Sequence, residues 1–330
     1  MQNTAAPKFS IVIPVKAVNA YVRETVPHIL ALAGGDWELL IVTNDPEPSE
    51  WEDGRIRMLA SGRIGPGLKR DLGAKHALGE ILVFLDDDSY PRPDLLEAAS
   101  KYFQEPAVAA VGGPAVTPQQ DGFWAKVSGA VFLSRLSGGA PERYVPAGPS
   151  REIQDWPSVN LMVRRSVFSE VGGFNVPYWP GEDTKLCLEI VKAGKKIIYA
   201  PDMLVWHHRR PGLGAHLKQV GAYGLHRGYF AKKYPETSFK AQYFIPSAFL
   251  LFTAASLLAS FMPASLQLLL EAGWALYGAA LGLALADFLR YENILVSAAA
   301  LPYVFLTHLV YGARFLQGFL FTGNLVSELR

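Results

Sequence analysis

The sequence predicts an α/β domain followed by an apolar helical region. Short apolar strands alternate with helical segments through the first 210 residues, and polar clusters fall where three of those strands end. Beyond residue 240 charge nearly vanishes. The chain has 330 residues, 31 Lys/Arg, 30 Asp/Glu and a net charge of +1. Only seven of those charged side chains lie in residues 241–330. This neutral balance excludes a general nucleic-acid binder, which needs a basic excess. A single cysteine excludes a disulfide scaffold and a Cys-based zinc cluster.

Phe9–Val15 (FSIVIPV) predicts a first strand, and Asn19–Ala33 a helix that stops at Gly34-Gly35. Trp37–Thr43 (WELLIVT) predicts a second strand ahead of the turn Asn44-Asp45-Pro46. Gly67–Leu78 has the character of a helix ending at Gly79. Glu80–Leu85 predicts a third strand that runs straight into Asp86-Asp87-Asp88. A helix over Pro93–Phe103 and a strand over Ala107–Val111 complete the βαβ alternation, which predicts a mostly parallel sheet covered on both faces. In such sheets ligands bind outside the carboxyl ends of the strands. Pro14-Val15-Lys16, Asn44-Asp45 and Asp86-Asp87-Asp88 sit at those ends, so one cleft is expected there.

Three adjacent aspartates repel one another, and a divalent cation such as Mg²⁺ or Mn²⁺ removes the conflict while also taking substrate phosphates. Asp86 and Asp88 project to one side of an extended strand and Asp87 to the other. Lys69 and Arg70, on the helix after Gly65-Pro66-Gly67, either meet a diphosphate or form an exposed helix face. Glu182 and Asp183 open an amphipathic helix over Thr184–Ala193. They either cap it or hold a carboxylate rigidly enough to accept a proton from an attacking hydroxyl. In His207-His208-Arg209-Arg210, imidazole offers a metal ligand and arginine a phosphate clamp or a contact with anionic lipid. His216, Arg227, Lys232 and Lys233 fit a lipid-facing basic surface, and Cys187 a small core residue.

Residues 241–270 contain no charged side chain, and roughly 20 such residues span a bilayer as a helix. A second apolar stretch covers Leu266–Ala286. A third, Ile294 to Thr322, is either one long tilted span or a span plus a short interfacial helix after Arg314. About three membrane helices are therefore expected in residues 241–330, after a basic membrane-proximal segment at 211–240. Residues 192–240 hold ten Lys/Arg against two acids, which places the first 240 residues on the cytoplasmic side. No signal peptide is visible at the amino terminus.

The order of SIVIPVK, WELLIVTND, IGPGLKRDLGAKHALGEILVFLDDDSYPRPD, SVNLMVRRSVFSEVGGF, GEDTKLCLEIVKAG and IIYAPDMLVWHHRR resembles the family 2 glycosyltransferases with a GT-A fold, over about residues 8–210. With its apolar tail the chain is similar to bacterial membrane-anchored members that build cell-surface polysaccharides and glycolipids. The resemblance implies a Rossmann-like GT-A domain over residues 1–210, a nucleotide-diphosphate-sugar donor and a divalent cation. It implies that Asp45 contacts the nucleobase, that Pro14 and Lys16 line its pocket, and that Arg70 approaches the diphosphate. Asp86 and Asp88 match the Asp-x-Asp metal motif, Asp183 the general base, Glu182 an acceptor-orienting group, His207 a late metal-side histidine, and Asn160 the acceptor side. Asp87, Lys69, Arg209 and Arg210 join the expected substrate-binding set.

The second-strand loop reads Asn-Asp-Pro-Glu where Asp-Asp-Gly-Ser is usual, and the helix reads Lys-Arg-Asp where Ala-Arg-Asn is usual. Gln219 is not followed by the Arg-Trp of processive synthases, which points to one sugar per encounter. The expectation is an inverting, metal-dependent transfer to a lipid-linked acceptor by a multi-pass inner-membrane protein. The alternatives are direct transfer to polyprenyl phosphate and a catalytically silent membrane scaffold that binds nucleotide sugar.

Overall fold

The computed structural model describes residues 7–34 and 36–325, so the expected helix stop at Gly35 lies outside the described residues. The strands are β1 (Phe9–Pro14), β2 (Trp37–Thr43), β3 (Ile56–Ala60), β4 (Ile81–Leu85), β5 (Ser89–Pro91), β6 (Val108–Gly112), β7 (Ala115–Val116), β8 (Arg151–Ile153), β9 (Asn160–Arg164), β10 (Lys196–Tyr199) and β11 (Val205–His207). The helices are α1 (Ala20–Leu30), α2 (Pro66–His76), α3 (Leu95–Ser100), α4 (Phe123–Ala130), α5 (Arg165–Glu170), α6 (Glu182–Lys192), α7 (Leu213–Lys233), α8 (Pro235–Ser238), α9 (Ala241–Ser256), α10 (Ala264–Phe288) and α11 (Ile294–Leu316).

The chain divides into two compact units. The first takes residues up to Pro118 and Val145–His208, the second Gln119–Tyr144 and Arg209–Leu325. The sequence reading put one boundary near residue 210 and did not separate 119–144. Helix α4 accounts for the difference: Val127, Ser128 and Ala130 are buried, Trp124 stacks 6.4 Å from Tyr303, and Ser128 Oγ lies 2.8 Å from His216 Nδ1.

In the first unit eight strands run in the order β3-β2-β1-β4-β9-β6-β10-β8, and β5-β11-β7 form a small second sheet. β3, β2, β1 and β4 are mutually parallel, as the alternation predicts. β9 then enters antiparallel between β4 and β6, so the sheet is mixed. Successive β1 residues feed opposite faces: Ile11 and Ile13 join Val22, Val26 and Ile29 of α1, whereas Val12 joins Ala74 of α2, Phe84, Leu161 and Leu186. A Cβ on Gly73 would lie 2.4 Å from Val12 Cγ1, so glycine sets how closely α2 approaches β1. Cys187 is buried in the second of these cores.

In the second unit α7 packs along α11 through a seam of small residues. A Cβ on Gly224 would lie 2.6 Å from the Tyr311 carbonyl oxygen, and one on Gly228 would lie 2.1 Å from that of Phe315. Such a seam permits close helix approach in soluble and membrane settings alike. His216 is fully buried, with Nδ1 on Ser128 Oγ and Nε2 on Thr307 Oγ1, both at 2.8 Å. This corrects the lipid-facing expectation for His216: two hydroxyls satisfy its ring nitrogens inside the bundle, and burial pushes its pKa down to about 4.

The expected first span, 241–270, is not one helix. α9 ends at Ser256, and Pro263, with no N–H to donate, opens α10. Sixteen residues of α9 reach about 24 Å, short of the roughly 30 Å hydrocarbon core. Among the described residues two helices are long and apolar enough to cross a membrane: α10, and α11 continued by a π-helical turn (Gln317–Phe321). The third run is thus one continuous element through Arg314. The apolar window of α10 is only 6% buried, which is not how a soluble protein treats a core helix. Leu268, Leu269, Leu276 and Leu283 all point outward, in the pattern of membrane association.

Candidate functional site

The site is built at the carboxyl ends of β1, β2 and β4, and the strand order makes that place special. From β1 the chain moves outward to β2 and β3, then returns across to β4 on the other side of β1. Such a reversal opens a crevice at the strand ends. Three loops meet there. Lys16 and Asp45 are exposed on two of them, which are joined by the Asn44 N–H donating to the Lys16 carbonyl at 2.8 Å. Pro14, buried, ends β1 beneath them.

The third loop carries the aspartates. Ser89 shapes it: the Asp86 N–H donates to Ser89 Oγ at 3.1 Å, and that hydroxyl donates back to the Asp86 carbonyl at 2.9 Å. β5 then pairs antiparallel with β11, His207 opposite Ser89. That register brings His207 Nε2 to 3.1 Å from Asp88 Oδ1 across more than a hundred residues of sequence. One ligand atom each from Asp86, Asp88 and His207 falls within 4.8 Å of the others, the arrangement among the described residues that can hold a metal ion. Two hard carboxylate oxygens and one imidazole nitrogen suit Mg²⁺ or Mn²⁺ as a donor set. The three aspartates form a turn between β4 and β5 and not the extended strand the sequence suggested, and Asp87 points elsewhere from within that turn: its Oδ2 accepts from Asn19 Nδ2 at 2.7 Å. Asn19 caps α1, accepting the Val22 N–H at 2.9 Å. The same residue therefore starts a helix and steadies the acidic turn.

Arg70 ties this cluster to a second one. It is 2% exposed, and its Nη2 lies 2.5 Å from Asp86 Oδ1 while Nη1 lies 2.9 Å from Glu182 Oε1. One guanidinium thus joins the β4 turn to the start of α6. Burial raises the Glu182 carboxyl pKa, Asp183 pushes in the same sense, and Arg70 opposes both. The Asp183 carboxylate is oriented by two backbone donors, Thr184 N–H at 2.8 Å and Ser158 N–H at 3.3 Å. Gly181, at φ +107°, makes the left-handed turn that starts α6, a conformation glycine adopts without Cβ strain. Upstream, Asp71 accepts the N–H groups of Phe174 and Asn175, both at 2.9 Å, fixing the loop that leads into this turn.

Several residues expected to touch substrate have protein partners instead. Lys69 is buried, with Nζ donating to the Val15 carbonyl at 2.5 Å and to Asn44 Oδ1 at 2.7 Å. Loss of solvation lowers its pKa to about 8. Lys69 thus pins the β1 and β2 loops together, and neither of the two alternatives for it, diphosphate contact or an exposed helix face, describes this geometry. Glu182, 2% exposed, faces Arg70 rather than an open acceptor space. Asn160, fully buried, donates to the Met203 carbonyl at 2.7 Å and the Pro114 carbonyl at 3.2 Å, linking β9 to the segments that lead into β7 and β11. Arg209 and Arg210 belong to the second unit, where the Arg209 guanidinium lies 4.9 Å from the Tyr144 ring centre.

Sequence reading missed Asn19, Ser89 and Asp71. Asn19 and Ser89 had readable local signals, an Asx residue directly before a helical run and a serine closing the turn that begins at Asp86; Asp71 acts through Phe174 and Asn175, which only the fold brings near.

Comparison with known proteins places these features in context. A pre-mycofactocin glycosyltransferase of Mycobacterium tuberculosis is 30% identical over 172 residues, covering 52% of this chain and 36% of the relative. The chain therefore spans about a third of the length of that relative. A Methanococcus voltae enzyme described as a dolichyl N-acetyl-alpha-D-glucosaminyl phosphate 3-beta-D-2,3-diacetamido-2,3-dideoxy-beta-D-glucuronosyltransferase is 24% identical over 167 residues, 49% of this chain and 50% of its own. Among solved structures, the Pyrobaculum calidifontis mannosyltransferase in complex with GDP-mannose and Mn²⁺ aligns over 96% of this chain and 88% of its own, at 19% identity and a TM-score of 0.49. The family model for glycosyl transferase family group 2 matches residues 81–316, more than two thirds of the chain, including the aspartate turn, α6 and β11. The chain belongs to glycosyl transferase family group 2.

Proposed function

We propose that the first unit transfers a sugar from a nucleotide-diphosphate donor to a hydroxyl of a lipid-linked acceptor, with inversion at the anomeric carbon. The observation that carries this reading is the Asp88–His207 and Asp86–Arg70–Glu182 chain of contacts, which leads from a metal-competent cluster to a rigid carboxylate at Asp183. Asp86, Asp88 and His207 would hold the cation, which when bound neutralises the diphosphate and the charge that grows as it leaves. Arg70 sets the position of Asp86, and Lys16 and Asp45 receive the donor from their exposed loops. Asp183 takes the proton of the acceptor hydroxyl as its oxygen bonds to the anomeric carbon and the bond to the diphosphate oxygen breaks. One displacement from the opposite face inverts the configuration and needs no covalent enzyme intermediate.

The second unit supports the acceptor class and the location. Helices α10 and α11 would cross a membrane, and the basic residues of 192–240 favour the cytoplasmic side for the first unit. The name of the Methanococcus relative describes a lipid-linked acceptor for that enzyme.

The test is Asp183→Asn assayed with donor, Mn²⁺ and a lipid-linked glycan in detergent. Donor binding stays within about twofold, and turnover falls by roughly 10²–10⁴. Near-normal turnover would remove Asp183 from the base role, and transfer to water-soluble acceptors alone would remove the lipid preference.

A further inference from the structure

Helix α1 has two working faces. Val22, Val26 and Ile29 join the core with Ile11 and Ile13 of β1. Tyr21, Glu24, Thr25 and His28, three or four positions apart, form a second face, because residues at that spacing lie above one another on a helix. Each of them touches the acidic turn, β5 or the end of β11. Thr25, 1% exposed, donates its hydroxyl to the Ser89 carbonyl at 2.9 Å, with the Asp87 carbonyl at 3.4 Å. Glu24 Oε2 lies 3.1 Å from His208 Nε2, and the Tyr21 ring centre lies 5.1 Å from that of His208. His28 stacks on Tyr90 of β5 at 4.4 Å. At the amino end of the helix Asn19 holds the Asp87 carboxylate. Arg23, between these faces and solvent, pairs only with exposed Glu50 among the described contacts.

The targets of this second face converge. The Ser89 hydroxyl holds the Asp86 backbone, Ser89 itself pairs with His207, and the Asp88 carbonyl accepts the His208 N–H at 3.0 Å. Fixing Ser89 and Asp87 therefore fixes the backbone that carries Asp86, Asp88 and His207. Three adjacent carboxylates repel one another, so a turn without outside anchors would open. Valine has nearly the shape of threonine, so packing alone asks for no hydroxyl at position 25. We propose that Thr25 and Asn19 are positioning residues for the cation: through the Ser89 carbonyl and the Asp87 carboxylate, α1 holds Asp86, Asp88 and His207 at ligand distance before the cation arrives. This rests on the cation reading of those three residues given above.

The test measures Mn²⁺ binding to the full chain in detergent by electron paramagnetic resonance of the free ion, with no donor present. Thr25→Val keeps the shape, drops the hydroxyl and is expected to weaken Mn²⁺ binding about tenfold, the scale of losses when groups behind metal ligands are removed. Thr25→Ser keeps the hydroxyl and is expected to stay within about twofold of the parent. Asn19→Ser still caps the helix but is too short to reach Asp87, and is expected to lose about as much as Thr25→Val. Arg23→Gln, on the same helix, is expected to bind Mn²⁺ as the parent does. Should Thr25→Val not fold, Asn19→Ser decides by the same readout. Parent-like affinity in Thr25→Val and Asn19→Ser overturns the inference and leaves the cation site standing. Equal losses in Thr25→Ser and Thr25→Val, or a matching loss in Arg23→Gln, overturn it in favour of a general loosening of α1. A parent that binds no Mn²⁺ overturns the cation reading itself, and this inference with it.

Discussion

Arg70 in the first unit is 2% exposed between two carboxylates, whereas Leu276 in the second is an apolar side chain left 73% exposed. The first unit draws charge inward and pairs it, Arg70 with Asp86 and Glu182, and Asp88 with His207. The second draws glycines inward, Gly224 and Gly228 against α11, and turns leucines out. Removing one partner of a buried ion pair leaves an uncompensated charge, so each group of the first arrangement depends on the other staying in place. Exposed leucine along a whole helix is stable only where the surrounding medium is itself apolar. The difference separates a unit shaped by the chemistry it holds from a unit shaped by its solvent.

The largest expected effect breaks the inward charge. Arg70→Met leaves Glu182 buried without its cation and is expected to destabilise the first unit by about 3–5 kcal/mol. Adding Glu182→Gln to the same chain is expected to restore a substantial part of that loss. Chemical denaturation followed by tryptophan fluorescence measures both, and additive losses would show that the two residues do not act as a pair.

A smaller effect tests the glycine seam. Gly228→Ala puts a Cβ 2.1 Å from the Phe315 carbonyl oxygen, and overpacking of this kind costs about 1–3 kcal/mol. Thermal unfolding in detergent is expected to shift down while nucleotide-sugar affinity stays constant. An unchanged midpoint would mean that α7 and α11 are not seated this closely.

The smallest effect is a pH dependence. Burial holds the Lys69 pKa near 8, below its ordinary 10.5, so the folded state binds fewer protons than the unfolded state between those values. Stability carried by this group therefore rises as pH increases from about 8 to 10.5, and the cost of burying the charged form is felt in full below pH 8. Comparing denaturation midpoints of the parent and Lys69→Met across pH 7–10 isolates the contribution. A parent curve that runs parallel to the variant's would assign Lys69 an ordinary pKa.

Much of the site could be read in the sequence because local rules govern it. A buried strand that ends in Asp86-Asp87-Asp88 marks a carboxyl-end cluster; the expected alternation does not apply because the three aspartates form a turn, and Asn19 shows where Asp87 goes. What escaped was long-range. Arg70 and Glu182 stand 112 positions apart, and nothing near either residue signals the other. β9 is an ordinary apolar run whose antiparallel direction only the completed sheet reveals. β3 escaped because an edge strand of five residues, with Arg57 exposed enough to reach Glu38, lacks a continuous apolar signal. The segment 119–144 looks like any apolar helix, and its place in the second unit depends on His216 and Tyr303, far along the chain. In the apolar tail, counting charges merged α9 with the start of α10, although Pro263 stood between them.

The most direct measurement is calorimetric titration of a nucleotide sugar, with and without Mn²⁺, into the parent chain and into Asp88→Ala. The account predicts that Mn²⁺ strengthens binding to the parent by at least about tenfold and has no effect on the variant, whose fold is intact by circular dichroism. Equal affinities in all four titrations would contradict the placement of a cation among Asp86, Asp88 and His207.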